Sequence, residues 1–276
     1  TAIHDAIYNN HYQIVNKLIE AGVDLNCTYQ GMTPLVYAAL EGREAIVDLI
    51  LTNTSNLCKK EQQLNEALVK SAKSSNVLHK KEYCTIVQSL INGGADINFR
   101  DKNGFTPLLL SSMSGNDSAA TALITAGCDL NKASKVEQTT PLMWATKTSR
   151  EICVSLVKNG ALVNLRDMSG KTALMHAAKG TDYICFPSIV QFLIDSGAET
   201  KLCDNDGNST LFYGAMSKDV QCCEILLNEG CAPNAKNKNG ETPLMFAKKE
   251  DTVSLLFKHG ADIEARSCKG WTPLFY

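Results

Sequence analysis

The sequence predicts an all-α solenoid, built of helix-turn-helix units that are separated by β-hairpin or turn fingers. Three observations predict it. First, Thr-Pro-Leu recurs at Thr33-Pro34-Leu35, Thr106-Pro107-Leu108, Thr140-Pro141-Leu142, Thr242-Pro243-Leu244 and Thr272-Pro273-Leu274. Degenerate copies open at Thr1, Thr172 and Ser209, and a worn one is Glu66-Ala67-Leu68. The first positions therefore fall at 1, 33, 66, 106, 140, 172, 209, 242 and 272, a period that marks a repeat array. Second, a Gly-x-Asp-x-Asn marker runs in phase, at 22–26, 94–98 and 127–131, with variants at 160–164 and 260–264. Third, the 276 residues are 44% hydrophobic, 20% charged and only 7% aromatic. That is a folding composition, suited to packing between small residues.

Each element of the repeat follows from its residues. Thr before Pro is a helix N-cap with Pro at the first helical position. Leu and the pairs Ala38-Ala39 and Ala177-Ala178 keep this inner helix thin, so that neighbours approach closely. A second helix carries Ile, Val and Leu at helical spacing, as in Ile14-Val15 with Leu18-Ile19. Gly closes it. The residues that follow, usually with a Gly shortly before the next Thr, form the finger. No unit buries its apolar face alone, so stacking makes one core.

The chain resembles the ankyrin repeat family: the period is near its 33 residues and Thr-Pro-Leu matches its signature. The resemblance covers 1–276 as a single continuous array of eight repeats and the start of a ninth. It implies a non-enzymatic scaffold whose exposed inner-helix face and finger tips form a concave groove for a partner protein or an extended peptide. It also assigns His4 and His11 the roles of helix-start and turn hydrogen-bonders. Residue 1 opens inside an inner helix and Tyr276 stops inside another, so the sequence reads as part of a longer array.

Three repeats depart from the pattern. Repeat three lacks Thr-Pro and carries about seven extra residues, Val77 to Tyr83, with His79, Lys80 and Lys81 as candidate lateral contacts. Repeat six carries about four, Tyr183 to Phe186, and repeat eight is about three short in the same turn. Having lost its cap and gained a loop, the span 60–85 is expected to open most easily, with fast hydrogen exchange.

The residues offer no reaction chemistry. Ser169-Gly170-Lys171-Thr172 ends like a phosphate loop, but that motif needs Gly where Leu165 stands. The five histidines lie in different repeats without metal-ligand spacing, so no metal or cofactor is expected. The 11 cysteines include no C-x-x-C pair, which argues against a disulfide framework and for a reducing, intracellular site: the cytoplasm, with the nucleus as the alternative. Of the vicinal pair Cys222-Cys223, one is expected in the core and the other partly exposed. No apolar run approaches a membrane span. With 27 Lys+Arg against 29 Asp+Glu, the charge of −2 counts against nucleic acid.

Positions that the repeat leaves free then locate the binding surface. Four residues after the signature Thr stand Tyr37, Trp144, His176, Tyr213 and Phe246; three further on stand Met113, Lys147, Lys179 and Lys249. The two columns adjoin on one helix face. Phe105 and Trp271 precede the signature Thr. Thr140–Ala145 resembles ankyrin modules that cradle extended peptides against such a Trp. Packing between repeats is the competing role for the aromatic column, and solubility for the lysines. Together they suit an acidic, extended partner, bound by a monomer. Recognition of an oligonucleotide, and regulation of an enzyme or channel domain outside these residues, are the alternatives.

Overall fold

Wherever Thr-Pro stands, the chain leaves an extended conformation at Thr and enters a helix at Pro. The computed structural model describes residues 1–276 apart from 54–56, 58, 75–81, 181–185 and 218. Its described residues hold fifteen α-helices and two 3-10 helices. They divide into two compact units, 1–135 and 136–276.

In the first unit the inner helices are α1 (Ala2–Tyr8), α3 (Pro34–Leu40), α5 (Lys60–Lys73) and α7 (Pro107–Ser114). The outer ones are α2 (Tyr12–Glu20), α4 (Glu44–Thr52), α6 (Glu82–Asn92) and α8 (Asp117–Thr125). Inner packs on inner and outer on outer, giving two layers. Leu35, Ala38, Ala39, Leu68, Ala72, Leu108 and Leu109 are buried between them. In the second unit the inner helices are α9 (Pro141–Thr148), α11 (Ala173–Lys179), α13 (Thr210–Met216) and the 3-10 turn Pro243–Phe246. The outer ones are α10 (Arg150–Lys158), α12 (Pro187–Asp195), α14 (Val220–Asn228) and α15 (Glu250–Lys258), and a second 3-10 turn, Pro273–Phe275, follows. The same two layers recur.

The signature threonines cap unequally. Thr106, Thr140 and Thr172 each accept the N–H three residues on, from Leu109, Met143 and Met175. The Thr33 and Thr242 hydroxyls are buried without a partner. The Asn that ends the second marker ties neighbouring repeats. Asn98 Oδ1 accepts the Asp129 N–H at 2.9 Å, Asn164 Oδ1 that of Glu199 at 2.9 Å and Asn234 Oδ1 that of Asp262 at 2.7 Å. The fingers are turns; the described residues hold only isolated bridges, Tyr29 with Met32 and Cys203 with Ser209.

Several expectations change. In repeat three the worn signature lies inside α5, which begins six residues earlier, at Lys60. With no Thr-Pro to start it at 66, helix formers from Lys60 onward extend it upstream. Tyr83, expected in a loop, is fully buried on α6, and its hydroxyl donates to the Leu40 carbonyl at 2.8 Å. His79, Lys80 and Lys81 lie outside the described residues, as does the repeat-six insertion except Phe186, which caps α12. The shortened repeat eight completes only a 3-10 turn, so Lys249 becomes the N-cap of α15 rather than a member of the inner-helix column.

Both Cys222 and Cys223 are fully buried, because the inward face of α14 is wide enough for 222, 223, 226 and 227 together. Cys222 is disulfide-bonded, a bond that the sequence reading did not expect. His4 does bond as expected: its ring lies 2.6 Å from Thr1 Oγ1 and 3.0 Å from the Met32 carbonyl. His11 precedes α2 as its N-cap, but its side chain makes no capping bond.

Candidate functional site

The second unit presents a cavity of about 360 Å³ where two fingers meet the inner helices α9 and α11. Trp144 and Lys147 reach it from α9, and His176 from α11. Asp167, Met168 and Lys171 reach it from the finger before α11, and Val136, Glu137 and Thr139 from the finger before α9.

A turn fixes the second of these fingers. Asp167 Oδ1 accepts the N–H groups of Ser169 and Lys171, both at 2.9 Å, and the Asp167 N–H donates to the Lys171 carbonyl. Its other oxygen, Oδ2, lies 2.8 Å from His176 Nε2. Finger and helix are thereby latched. Backbone bonds join successive fingers: the Met168 N–H donates to Glu137 O and that of Asn205 to Ser169 O.

The latch recurs one repeat on. Asp204 Oδ1 accepts the N–H groups of Asp206 and Asn208, and its Oδ2 accepts the Tyr213 hydroxyl. In repeat five Thr139 does the equivalent work, accepting Trp144 Nε1–H at 3.0 Å. The aromatic column thus holds fingers to helices.

The charges follow from these bonds. Burial pushes the Asp167 carboxyl up, but the bonds from His176, Lys171 and Ser169 outweigh it and hold it below the usual carboxylate range. Burial pushes His176 down, Asp167 only partly offsets this, and the Lys147 charge pushes it further down. At neutral pH His176 is therefore neutral and spends its Nε2 proton on an ionised Asp167. Lys147 is lowered too, by burial and then by the charge of Lys179. Burial and Asp204 both raise the Tyr213 hydroxyl.

The structure brings only some of the expected site residues together. Trp144, Lys147 and His176 share the cavity. Trp144 is partly exposed, with Lys147 Nζ 5.0 Å from its ring centre. Lys179 ends α11, exposed. Tyr213 is 5% exposed, with Lys171 Nζ 5.5 Å over its ring. Phe246 packs between Phe212 and Tyr276, at 5.7 and 6.1 Å between ring centres. Trp271 is 44% exposed beneath Lys269, and Lys249 is exposed on α15. In the first unit Tyr37 is buried against His4 and Tyr29, while Phe105 and Met113 are half-buried.

Sequence reasoning missed Val136 and Met168, which are 72% and 65% exposed at the cavity rim. Their signal was an apolar residue in a finger that needs only turn formers. It missed Asp167 too, and met Lys171 in the failed phosphate loop, not in the site. Among the described residues, no group of His, Cys, Asp and Glu could hold a metal, and no helix is long and apolar enough to cross a membrane.

Stacked helix pairs with latched fingers define a helical repeat protein. The family model for ankyrin repeats matches residues 1–62, 75–167, 153–237 and 211–276. The chain belongs to the ankyrin repeat family, whose repeats are a general protein-interaction module. It is 28% identical over 178 residues to ankyrin repeat and SOCS box protein 6 of Pongo abelii, covering 63% of this chain and 39% of that protein. It is 29% identical over 203 residues to neurogenic locus notch homolog protein 1 of Danio rerio, covering 67% and 8%. To SH3 and multiple ankyrin repeat domains protein 2 of Homo sapiens it is 30% identical over 161 residues, covering 56% and 8%. The chain spans well under half the length of these relatives.

Proposed function

We propose that this chain is a non-enzymatic scaffold whose second unit binds a partner protein through an extended, acidic segment, as a monomer working inside the cell. The cavity carries the reading. It gathers a partly exposed Trp, two exposed apolar residues, Val136 and Met168, and two lysines in one lining. Large rings in such a setting are the usual anchors of protein interfaces, and surrounding charge steers the approach. In this reading buried Tyr213 and half-buried Phe246, packed on Phe212 and Tyr276, act as supports, and Trp144 is the anchor.

The test is capture of proteins from nuclease-treated lysate by the wild type and by a Trp144→Ala/Met168→Ala variant, with circular dichroism confirming the fold. We expect proteins that survive nuclease and are lost with the variant, Trp144 alone costing about 2 kcal/mol or more. Equal capture by both would remove the cavity from binding. Capture that nuclease abolishes would favour nucleic acid.

A further inference from the structure

We propose, resting on the binding role of this groove, that the cavity beside Trp144 is a subsite for one anionic side chain of the bound segment, a carboxylate or a phosphoryl group held between the ammonium groups of Lys147 and Lys171. Both lysines line the cavity and both lie over rings, at 5.0 Å over Trp144 and 5.5 Å over Tyr213. Ring faces position an ammonium but leave its charge uncancelled. Among the described residues, neither ammonium has a carboxylate within ion-pair distance.

Asp167, an acid that lines the same cavity, is fully engaged. Two backbone N–H groups occupy its Oδ1, and His176 occupies its Oδ2. The latch that builds the finger therefore withholds the carboxylate that would otherwise pair with these lysines. Lys147 is half-buried and feels the charge of Lys179, with Glu137 and Asp167 acting against it, so an arriving anion meets a partly desolvated ammonium that has no ion-pair partner among the described residues. Both partners of the new bond would be charged, the stronger kind of hydrogen bond. Neutral His176 has spent its Nε2 proton on Asp167, so the lysines are the donors.

This assigns charge selection to two residues rather than to a stripe. Lys73 and Lys249, from the same sequence column, are exposed and lie outside the cavity. Glu137 is the opposing influence: its exposed carboxylate lines the same cavity and disfavours an anion there.

An immobilised library of extended peptides, with one position varied through Ala, Gln, Lys, Asp, Glu and phosphoserine, tests the subsite on the full chain. The wild type should retain the anionic peptides about tenfold better than their Gln counterparts. Lys147→Gln/Lys171→Gln should bring that ratio close to one, Glu137→Gln should raise it, and Lys249→Gln should leave it unchanged. Preference for phosphoserine over Glu identifies a phosphoryl ligand, and the reverse a carboxylate. Retention with an anionic preference that survives the double lysine variant overturns the subsite and leaves the groove standing. Retention with no anionic preference overturns it likewise. Failure to retain any peptide overturns the groove as a peptide site, and the subsite with it.

Discussion

Threonine at a helix start is the residue whose effect varies most within this array. Thr106 caps Leu109, whereas the Thr33 hydroxyl is buried without a partner. Thr106→Ala should cost about 1 kcal/mol in denaturant unfolding, and Thr33→Ala a few tenths or nothing, since it removes an unsatisfied group. His176 makes a second test. Its folded pKa lies below the unfolded value of 6.5, so the unfolded chain binds a proton that the fold refuses. The stability it contributes is complete above that value and is lost as pH falls below it. Asp167 is also depressed, so its contribution is lost in the same direction, below the unfolded carboxylate range. His176→Asn should flatten the fall in melting temperature just below pH 6.5, leaving a residue from His4, which burial also lowers. An unchanged slope would mean that the imidazole is not held neutral. Sequence places His176 in a column but says nothing of its protonation, which Asp167 and the surrounding packing decide.

At the scale of the element, the finger before α11 is the most constrained. Gly170 has φ +79°, and a Cβ there would lie 2.8 Å from the Asn205 backbone nitrogen and against the Asn205 side chain. Gly197, which closes a helix with φ +88°, would meet nothing within 4 Å. Gly197→Ala should therefore cost about 1 kcal/mol of backbone strain, and Gly170→Ala about 3 kcal/mol, because the next finger must also move. Equal costs would show that the fingers yield freely. Helix α5 shows how neighbours override a lost motif. The Asp96 N–H donates to Asn65 Oδ1 at 2.7 Å, and Asn116 Nδ2 donates to the Ser71 and Ser74 carbonyls. Its exposed start, by contrast, follows Lys59 in a left-handed conformation. Hydrogen exchange across 60–85 will show which wins; these ties argue for slow exchange from Leu64 to Ala72 and fast exchange before it.

Over the whole molecule, stability is a sum of repeats and the interfaces between them, and the cysteines report it. Cys84 and Cys268 are exposed, while Cys128, Cys153, Cys223 and Cys231 are buried. Burial pushes the Cys128, Cys153 and Cys223 thiols up to about 12 and Cys231 up to about 11, far from the reactive thiolate. An alkylating reagent at neutral pH should label Cys84 and Cys268 in the native chain. The buried four should react only as denaturant opens their units, Cys128 for the first and the others for the second. Prompt labelling of Cys153 or Cys223 in the native chain would contradict the packing.

The sequence by itself determined the family and the helix-turn-helix unit. These rest on local rules that act within one repeat: a cap, a helical period and a glycine stop, recurring along the chain. Only the tertiary structure decided that α5 starts early, that Lys249 leaves the groove column, and that Tyr213 is buried while Trp144 stays partly exposed. It also decided which charges are spent. Asp167 and Lys171 are both finger charges in the chain, but hydrogen bonds to His176 and to the backbone consume one, while the other faces the cavity without an ion-pair partner among the described residues. Such outcomes depend on groups that the fold brings together from separate elements, and no periodicity along the chain encodes them.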